Sequence, residues 1–357
     1  MSLVASAAST NKRIAVIPGD GIGPEVIGEA VRVLRASGAP LTFTELDWSA
    51  NRYLRDGTTV PPGGFAMLGR DFDAILLGAF GDPRVPSNIH AKETLLGMRF
   101  QMDLYVNLRP VKLLDESLCP LKNCKPEDVD FVVVRENTEG PYLDAGGVLK
   151  KDTPDEIATQ EDVNTRKGVE RIIRYAFELA RRRPRKRLLM ADKSNVMTYA
   201  GGLWQRVFRL VAGEYSDVQS SHMYIDALCL QMVREPKAFD VIVTNNMFGD
   251  IITDLAAALQ GGLGMAASGN IHPGRTSMFE PVHGSAPPLA GKNVANPMGA
   301  ILTAALMLEH LGLADHATRI NTAVTAALRS KKTTSDIGGT MGTREVAEWI
   351  AGQVARL

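Results

Sequence analysis

The sequence predicts an α/β fold with substantial parallel strand pairing. Three observations carry this: short Val/Ile/Leu-rich runs recur from end to end, helical patterns lie between them, and a glycine-rich turn follows the first run. Continuous apolar runs are what strands covered by helices on both faces require. RIAVIP (13–18) reads as the first strand, and Pro24 suits the start of the helix after it, where a missing N–H costs little. DAILLGA (73–79), DFVVVRE (130–136), RLLMAD (187–192) and DVIVTN (240–245) read as further buried strands. Asn164 is a good helix cap, and Val169, Ile172, Ile173, Ala176 and Leu179 then line one face of a long helix. Later helices are expected at 250–260, 298–311 and 315–329.

The chain has 357 residues, which at ~100–200 residues per domain suggests two domains, or one large α/β unit with an inserted lobe. No repeat and no low-complexity linker appears, so the domains are expected to join through shared sheet or by a chain that leaves one lobe and returns. Forty basic residues balance forty acidic ones, and a nucleic-acid coat would need a basic surplus. The basic run Arg181–Arg187 therefore reads as a cationic helix end before the next strand rather than a nucleic-acid or targeting patch. No apolar run reaches the ~18–20 residues of a membrane span. The opening MSLVASAAST has neither a basic start nor a long apolar centre and reads as a loose terminus. The odd set Cys119, Cys124 and Cys229 argues for a reducing compartment, hence the cytoplasm. Cys119 and Cys124 alone make only half a zinc site, with no second Cys/His pair at ligand spacing.

Five groups of residues carry candidate chemistry. The turn Gly19-Asp20-Gly21-Ile22-Gly23-Pro24-Glu25 lies where a dinucleotide fingerprint would, but its glycine spacing is not G-x-G-x-x-G, so it reads as a tight turn and not a Rossmann signature. Arg99, Arg109 and Arg135 sit in apolar surroundings, where a guanidinium faces either an anionic substrate or an internal ion-pair partner; a substrate with two carboxylates would employ all three. Asp250 and Asp254 fall four residues apart near a helix start, on one face, and Asp226 is expected at a strand end. Three carboxylates without a Cys/His set suit a hard divalent ion, Mg²⁺ or Mn²⁺, with helix capping as the plainer alternative. Lys193, just past a buried strand, is either a general base beside a metal or a solvated lysine. His283-Gly284-Ser285-Ala286-Pro287 is a small-residue loop that lets backbone approach a ligand.

The runs GDGIGPE, NLRP, VVRENTEGPY, DKSNV, NMFGDIITD and FEPVHGSAP, in this order, resemble the isocitrate/isopropylmalate dehydrogenase family of β-decarboxylating dehydrogenases over residues 13–350. The resemblance implies a two-lobed fold whose large mixed sheet is shared between lobes. Residues 1–104 and 261–357 would form the cofactor-binding lobe, and 105–260 the lobe carrying dimerisation, metal and substrate residues. It implies a homodimer with shared active sites, a small 2-hydroxy dicarboxylate substrate, NAD, and Mg²⁺ or Mn²⁺. On the matching positions, Arg99, Arg109 and Arg135 would grip the malate carboxylates, with Asn195 and Val196 also at the substrate. Tyr142 would deliver a proton to the carbon vacated by CO₂. Lys193 and Asp226 would reach the partner's site, Lys193 aiding hydroxyl deprotonation, while Asp226, Asp250 and Asp254 would hold the metal. Ile22, Glu280, His283, Gly284, Ser285, Ala286 and Asn296 would contact the cofactor.

The same resemblance places the pocket for the variable side group at Leu95 and Leu96. Two leucines suit an isopropyl group, and a third carboxylate buried against them would be costly, which disfavours isocitrate. Tartrate or D-malate (the ENTEG run) and homoisocitrate (Lys92 near the pocket) stay open as substrates. One position departs from the family pattern: Pro288 stands where NAD-using relatives carry an aspartate and NADP-using relatives a Lys-Tyr pair. NAD remains the expected cofactor. A binding protein that kept the fold and lost turnover is the alternative class, although every expected charged role is filled.

Overall fold

A computed structural model describes residues 11–357; the opening MSLVASAAST, read above as a loose terminus, lies outside the described residues. The chain begins with β1 (Lys12–Ile17), α1 (Gly23–Ala36), β2 (Leu41–Glu45), α2 (Ala50–Asp56), α3 (Gly64–Asp71), β3 (Ala74–Leu77) and a single turn α4 (Ile89–Ala91). It continues through α5 (Gly97–Gln101), β4 (Val106–Lys112), β5 (Asp130–Glu136), β6 (Gly146–Leu149), β7 (Ile157–Gln160), α6 (Arg166–Arg182) and β8 (Arg187–Asp192). Next come α7 (Thr198–Ala212), β9 (Gln219–Tyr224), α8 (Ile225–Arg234), β10 (Val241–Thr244), α9 (Asn246–Leu259) and β11 (Ala267–Ile271). The last elements are β12 (Ser277–Pro281), α10 (Met298–His310), α11 (Ala314–Arg329) and α12 (Thr343–Val354).

Ten of the strands form a mixed sheet in the order β2-β1-β3-β12-β11-β4-β5-β10-β8-β9. The chain divides into two compact units, 1–95 with 274–357 and 96–273; the lobe boundaries expected from the sequence, 104/105 and 260/261, fall inside the second. In the first unit β2, β1, β3 and β12 are parallel neighbours, and β1 and β3 carry the wholly buried runs Ile14–Ile17 and Ala74–Leu77. In the second, β4 runs antiparallel to both β11 and β5, while β5, β10, β8 and β9 are parallel. This mixture follows from burial: β5, β8 and β10 have helices to cover them and read as unbroken apolar runs. The separate hairpin β6–β7 is exposed along both strands.

Two local expectations are corrected. Asn164 does not cap α6; Thr165 does, its hydroxyl accepting from Gly168 N at 3.0 Å, while Asn164 accepts from Trp204 Nε1 at 2.8 Å. Both residues are good capping types, and the indole N–H claims one of them. Asp226 does not end a strand: β9 stops at Tyr224, and Asp226 lies in the first turn of α8. The expected apolar face of α6 is present, with Val169, Ile172, Ile173 and Ala176 buried and Phe177 and Ala180 completing it. The basic run beyond it is taken up by ion pairs, Arg181 to Asp217 at 3.0 Å and Arg183 to Asp130 and Asp240 at 2.8 and 2.6 Å. The cysteines are free thiols, and Cys119, Cys124 and Cys229 pack against the core of the second unit.

Candidate functional site

In the first unit, the glycine-rich turn and the small-residue loop are built against one another. Ile22 N donates to Ser285 O at 2.8 Å, and Asp20 N donates to Ala79 O at 2.7 Å. Gly21 has φ +58°, and a Cβ there would lie 1.9 Å from Ser285 O; a Cβ at Gly19 would lie 2.3 Å from Ala79 O. The glycines thus serve close backbone approach, as a tight turn does, rather than a pyrophosphate fingerprint. Gly21→Ala is expected to destabilise by about 2–4 kcal/mol, combining backbone strain with overpacking. Gly28→Ala on α1, where nothing lies within 4 Å of the new Cβ, should instead stabilise by about 1 kcal/mol. Thermal melts of the two variants check the contrast.

The same neighbourhood fits a ligand of its own. His283 Nε2 is buried with no hydrogen-bond partner, and burial lowers the imidazole pKa, so the ring is neutral near pH 7. Gly284 has nothing within 4 Å of an added Cβ, Ser285 is buried, and Ala286 takes φ +38°. Glu280 is half-buried in β12. Asn296, just before α10, receives Met298 N and donates to Asp336 Oδ2, both at 3.0 Å. Asp336 was not legible as a site residue, because it stands in a polar turn 40 residues from Asn296 and only the folded chain pairs them.

The second unit gathers the arginines. Arg99 on α5, Arg109 on β4 and Arg135 near the end of β5 are buried, Arg135 with 1% exposed. Arg135 Nη1 pairs with Asp250 Oδ1, and Arg109 lies 3.5 Å from Asp250 and 3.8 Å from Asp254. Tyr142 donates to Asp250 Oδ2 at 2.6 Å, and the Arg135 guanidinium sits 5.2 Å over its ring. Burial opposes ionisation of Asp250, yet Arg135, the Tyr142 hydrogen bond, Arg109 and Arg99 together hold it below the usual carboxylate range. Burial, reinforced by Arg109 and Arg99, brings the Arg135 pKa down to about 10. Burial and the Asp250 bond push the Tyr142 phenol up, so it keeps its proton at neutral pH.

Asp250 and Asp254 stand one turn apart on α9, whose cap is Asn245 accepting from Phe248 N at 2.9 Å; neither aspartate caps the helix. Two hard oxygen donors on one face fit part of a divalent-ion shell of six or more oxygens. Asp226 does not complete it within the chain. Among the described residues no three His, Cys, Asp or Glu side chains gather as a metal site, and Asp226 is bonded to Lys193 Nζ at 2.8 Å. That bond holds the Asp226 carboxyl below its ordinary range. Asn195 and Val196 lie in the same surface turn, Val196 with 68% exposed. Leu95 and Leu96 are half-buried in a π-helical turn over Lys92–Leu96. Sequence reasoning missed the residues that hold the arginines: Asn107, Asn246 and Thr253, which accept from Arg109 or Arg135.

This fold and this site define a dehydrogenase class: the chain belongs to the isocitrate/isopropylmalate dehydrogenase family, whose sequence model matches residues 13–350. Among its relatives is a 3-isopropylmalate dehydrogenase of Thermobifida fusca, 51% identical over 96% of this chain and 98% of the relative. Another, from Corynebacterium kroppenstedtii, is 52% identical over 96% and 99%. A solved isocitrate dehydrogenase of Methylococcus capsulatus superposes with a TM-score of 0.87 at 38% identity, covering 96% of this chain and 99% of that one. No helix among the described residues is long and apolar enough to cross a membrane.

Proposed function

We propose that the chain oxidises and decarboxylates 3-isopropylmalate to 4-methyl-2-oxopentanoate and CO₂, passing the hydride to NAD with Mg²⁺ or Mn²⁺ as the metal. The observation that carries the substrate is likeness at about half identity, over nearly the whole chain, to proteins named for it. The site agrees chemically. Arg99, Arg109 and Arg135 bind and orient the two carboxylates of a malate. Lys193 aids deprotonation of the substrate hydroxyl, and Tyr142 Oη, protonated at neutral pH, delivers a proton to the carbon that CO₂ leaves. When bound, the metal stabilises negative charge developing on substrate oxygen and the nicotinamide accepts the hydride. Asp250 and Asp254 would hold the metal, with Asp226 supplied by a second copy.

Lys193 and Asp226 bond to each other, apart from the arginine cluster, and α8, which begins beside them, exposes Leu230 at 59% while α9 exposes Ile251 at 59%. Such apolar faces suit a second copy, and we read the enzyme as a homodimer in which this pair serves the partner's site. The first unit holds the cofactor through Ile22, Glu280, His283–Ala286 and Asn296. Asp336, tied to Asn296, offers an acceptor for a ribose hydroxyl where Pro288 offers none, which favours NAD over a phosphorylated cofactor.

One observation favours a second reading. His90 Nδ1 and Thr94 Oγ1 are buried without a hydrogen-bond partner in the stretch just before Leu95. Unmet polar groups there suit a substrate with a hydroxyl on its variable carbon, such as tartrate. The test is nicotinamide reduction with 3-isopropylmalate, tartrate, D-malate, homoisocitrate and isocitrate, each with NAD and NADP. The expected result is the highest kcat/KM for 3-isopropylmalate with NAD, loss of turnover on chelation, and recovery with Mn²⁺. A tartrate preference would install the second reading, and turnover insensitive to chelation would remove the metal from the site.

A further inference from the structure

Arg135 and Glu136 are neighbours at the end of β5, and consecutive residues of a strand face opposite sides. Arg135 reaches α9, where it meets Asn246 and Asp250. Glu136 turns back onto its own chain. Its Oε1 accepts from Thr138 N at 2.9 Å and from Thr138 Oγ1 at 2.8 Å, and its Oε2 accepts from Glu139 N at 2.8 Å. Thr138 Oγ1 also accepts from Arg171 Nη2 at 2.7 Å, which leaves the hydroxyl hydrogen for Glu136. Glu136 is 2% exposed, so one rigid group in place of water fixes two successive backbone N–H groups. Burying a carboxyl is costly, and a surface turn of this kind is commonly made by a shorter Asp, Asn or Ser.

The segment that Glu136 shapes leads directly to the proton donor. Beyond the bracket, Glu139 O accepts from Asn246 Nδ2 at 2.9 Å, and the Glu139 side chain accepts from Thr165 N at 2.8 Å and from the Thr165 hydroxyl. Gly140 N donates to Val163 O at 2.8 Å, and two residues on Tyr142 Oη donates to Asp250 Oδ2 at 2.6 Å. We infer that Glu136 is a positioning residue for proton delivery: its buried carboxyl group folds residues 137–139 so that the turn after them holds the Tyr142 hydroxyl beside Asp250. The inference rests on the reading of Tyr142 as the proton donor. Glu136 faces away from the arginine cluster and acts through the turn that it closes. A hydroxyl protonates carbon only from within hydrogen-bond reach, and about an ångström of drift costs about a hundredfold in rate.

The test is a cycle of four enzymes: the native chain, Glu136→Gln, Tyr142→Phe and the double variant. Glutamine keeps the size of the side chain and still accepts from Thr138, but its NH₂ meets the N–H of Glu139, donor against donor. The kcat is measured by NAD reduction with Mn²⁺ and the substrate that the native chain turns over fastest. Affinities for D-malate with Mn²⁺ and for NAD are measured separately by calorimetry. Glu136→Gln is expected to lower kcat about a hundredfold, with both affinities within about twofold of native. Tyr142→Phe should lower kcat about a thousandfold. The two losses should not multiply. The double variant should match Tyr142→Phe within about twofold, because a hydroxyl already removed cannot be misplaced. A merely structural role would lower kcat by the same factor in both backgrounds, and that result overturns the inference. So does a Glu136→Gln enzyme with native kcat, or one whose loss lies in malate affinity. Should Glu136→Gln not fold, Thr138→Val at a half-buried position cuts the hydroxyl bond alone and leaves Arg171 on Asp103. The same comparison then decides, with a loss of about tenfold expected in the native background only. Native kcat in Tyr142→Phe would strike the reading of Tyr142 as donor and the inference with it, whereas an impaired Tyr142→Phe with multiplying losses strikes the positioning role alone.

Discussion

Replacing Lys193 with alanine is expected to lower kcat about a thousandfold while leaving the fold intact, the usual scale for removing a positioned acid or base. Lys193 follows the buried strand β8, yet its side chain is partly exposed and it pairs with an exposed carboxylate, Asp226, at 2.8 Å. Pairs of that kind contribute about 0–1 kcal/mol, so the melting temperature should barely move. The loss thus falls on chemistry and not on stability. Circular dichroism melts beside nicotinamide reduction rates separate the two, and a variant that retains native kcat would remove Lys193 from the mechanism. Subunit mixing extends the test. Lys193→Ala and Asp250→Ala chains are each nearly inactive, but if sites are shared, half of a random mixture pairs unlike chains and rebuilds one intact site per hybrid. About a quarter of native activity should return on mixing. No recovery would mean that Lys193 serves its own chain.

How far the sequence exposed this site depends on which physical signal each residue left. The strands were legible because burial on both faces writes an unbroken apolar run, and β5 spans the very residues of DFVVVRE. The arginines were legible for the opposite reason, as charges set in apolar surroundings. Asp226 was misjudged as a strand end because the apolar stretch YIDAL runs through the β9–α8 junction without a break in hydrophobicity. Thr165 and Asn164 could not be told apart as caps until Trp204 bonded one of them. Asn107, Asn246, Thr253 and Asp336 left no signal at all. Polar residues are ordinary in a sequence, and their role lies in partners that only folding supplies, such as Arg135 for Asn246, 111 residues away. Spacing reveals faces and periods; it does not reveal which distant donor an amide oxygen will meet.

Gly249→Ala should be among the most damaging single-methyl changes in the second unit, against the preference of the helix that carries it. Gly249 lies within α9, and there alanine is favoured over glycine by about 1 kcal/mol. Its φ is not in the left-handed region, so backbone freedom does not explain the residue. What explains it is Arg135: a Cβ on Gly249 would lie 2.4 Å from Arg135 Cγ and 2.6 Å from its Cβ. The stem of that arginine passes directly over the glycine, and its head then reaches Asn246 and Asp250, one residue type on each side of it in NMFGD. A methyl group must push the stem aside or pry α9 from β5, at an overpacking cost of about 1–3 kcal/mol that exceeds the helix gain. Either movement pulls the guanidinium off Asn246, where charge-assisted bonds are sensitive to displacement by tenths of an ångström. The expected outcome is a KM for the dicarboxylate raised at least a hundredfold, with a lowered melting temperature and native NAD affinity. Kinetics, melts and cofactor titration of one variant measure all three, and a Gly249→Ala enzyme with native KM would show that Arg135 can bind from a second position.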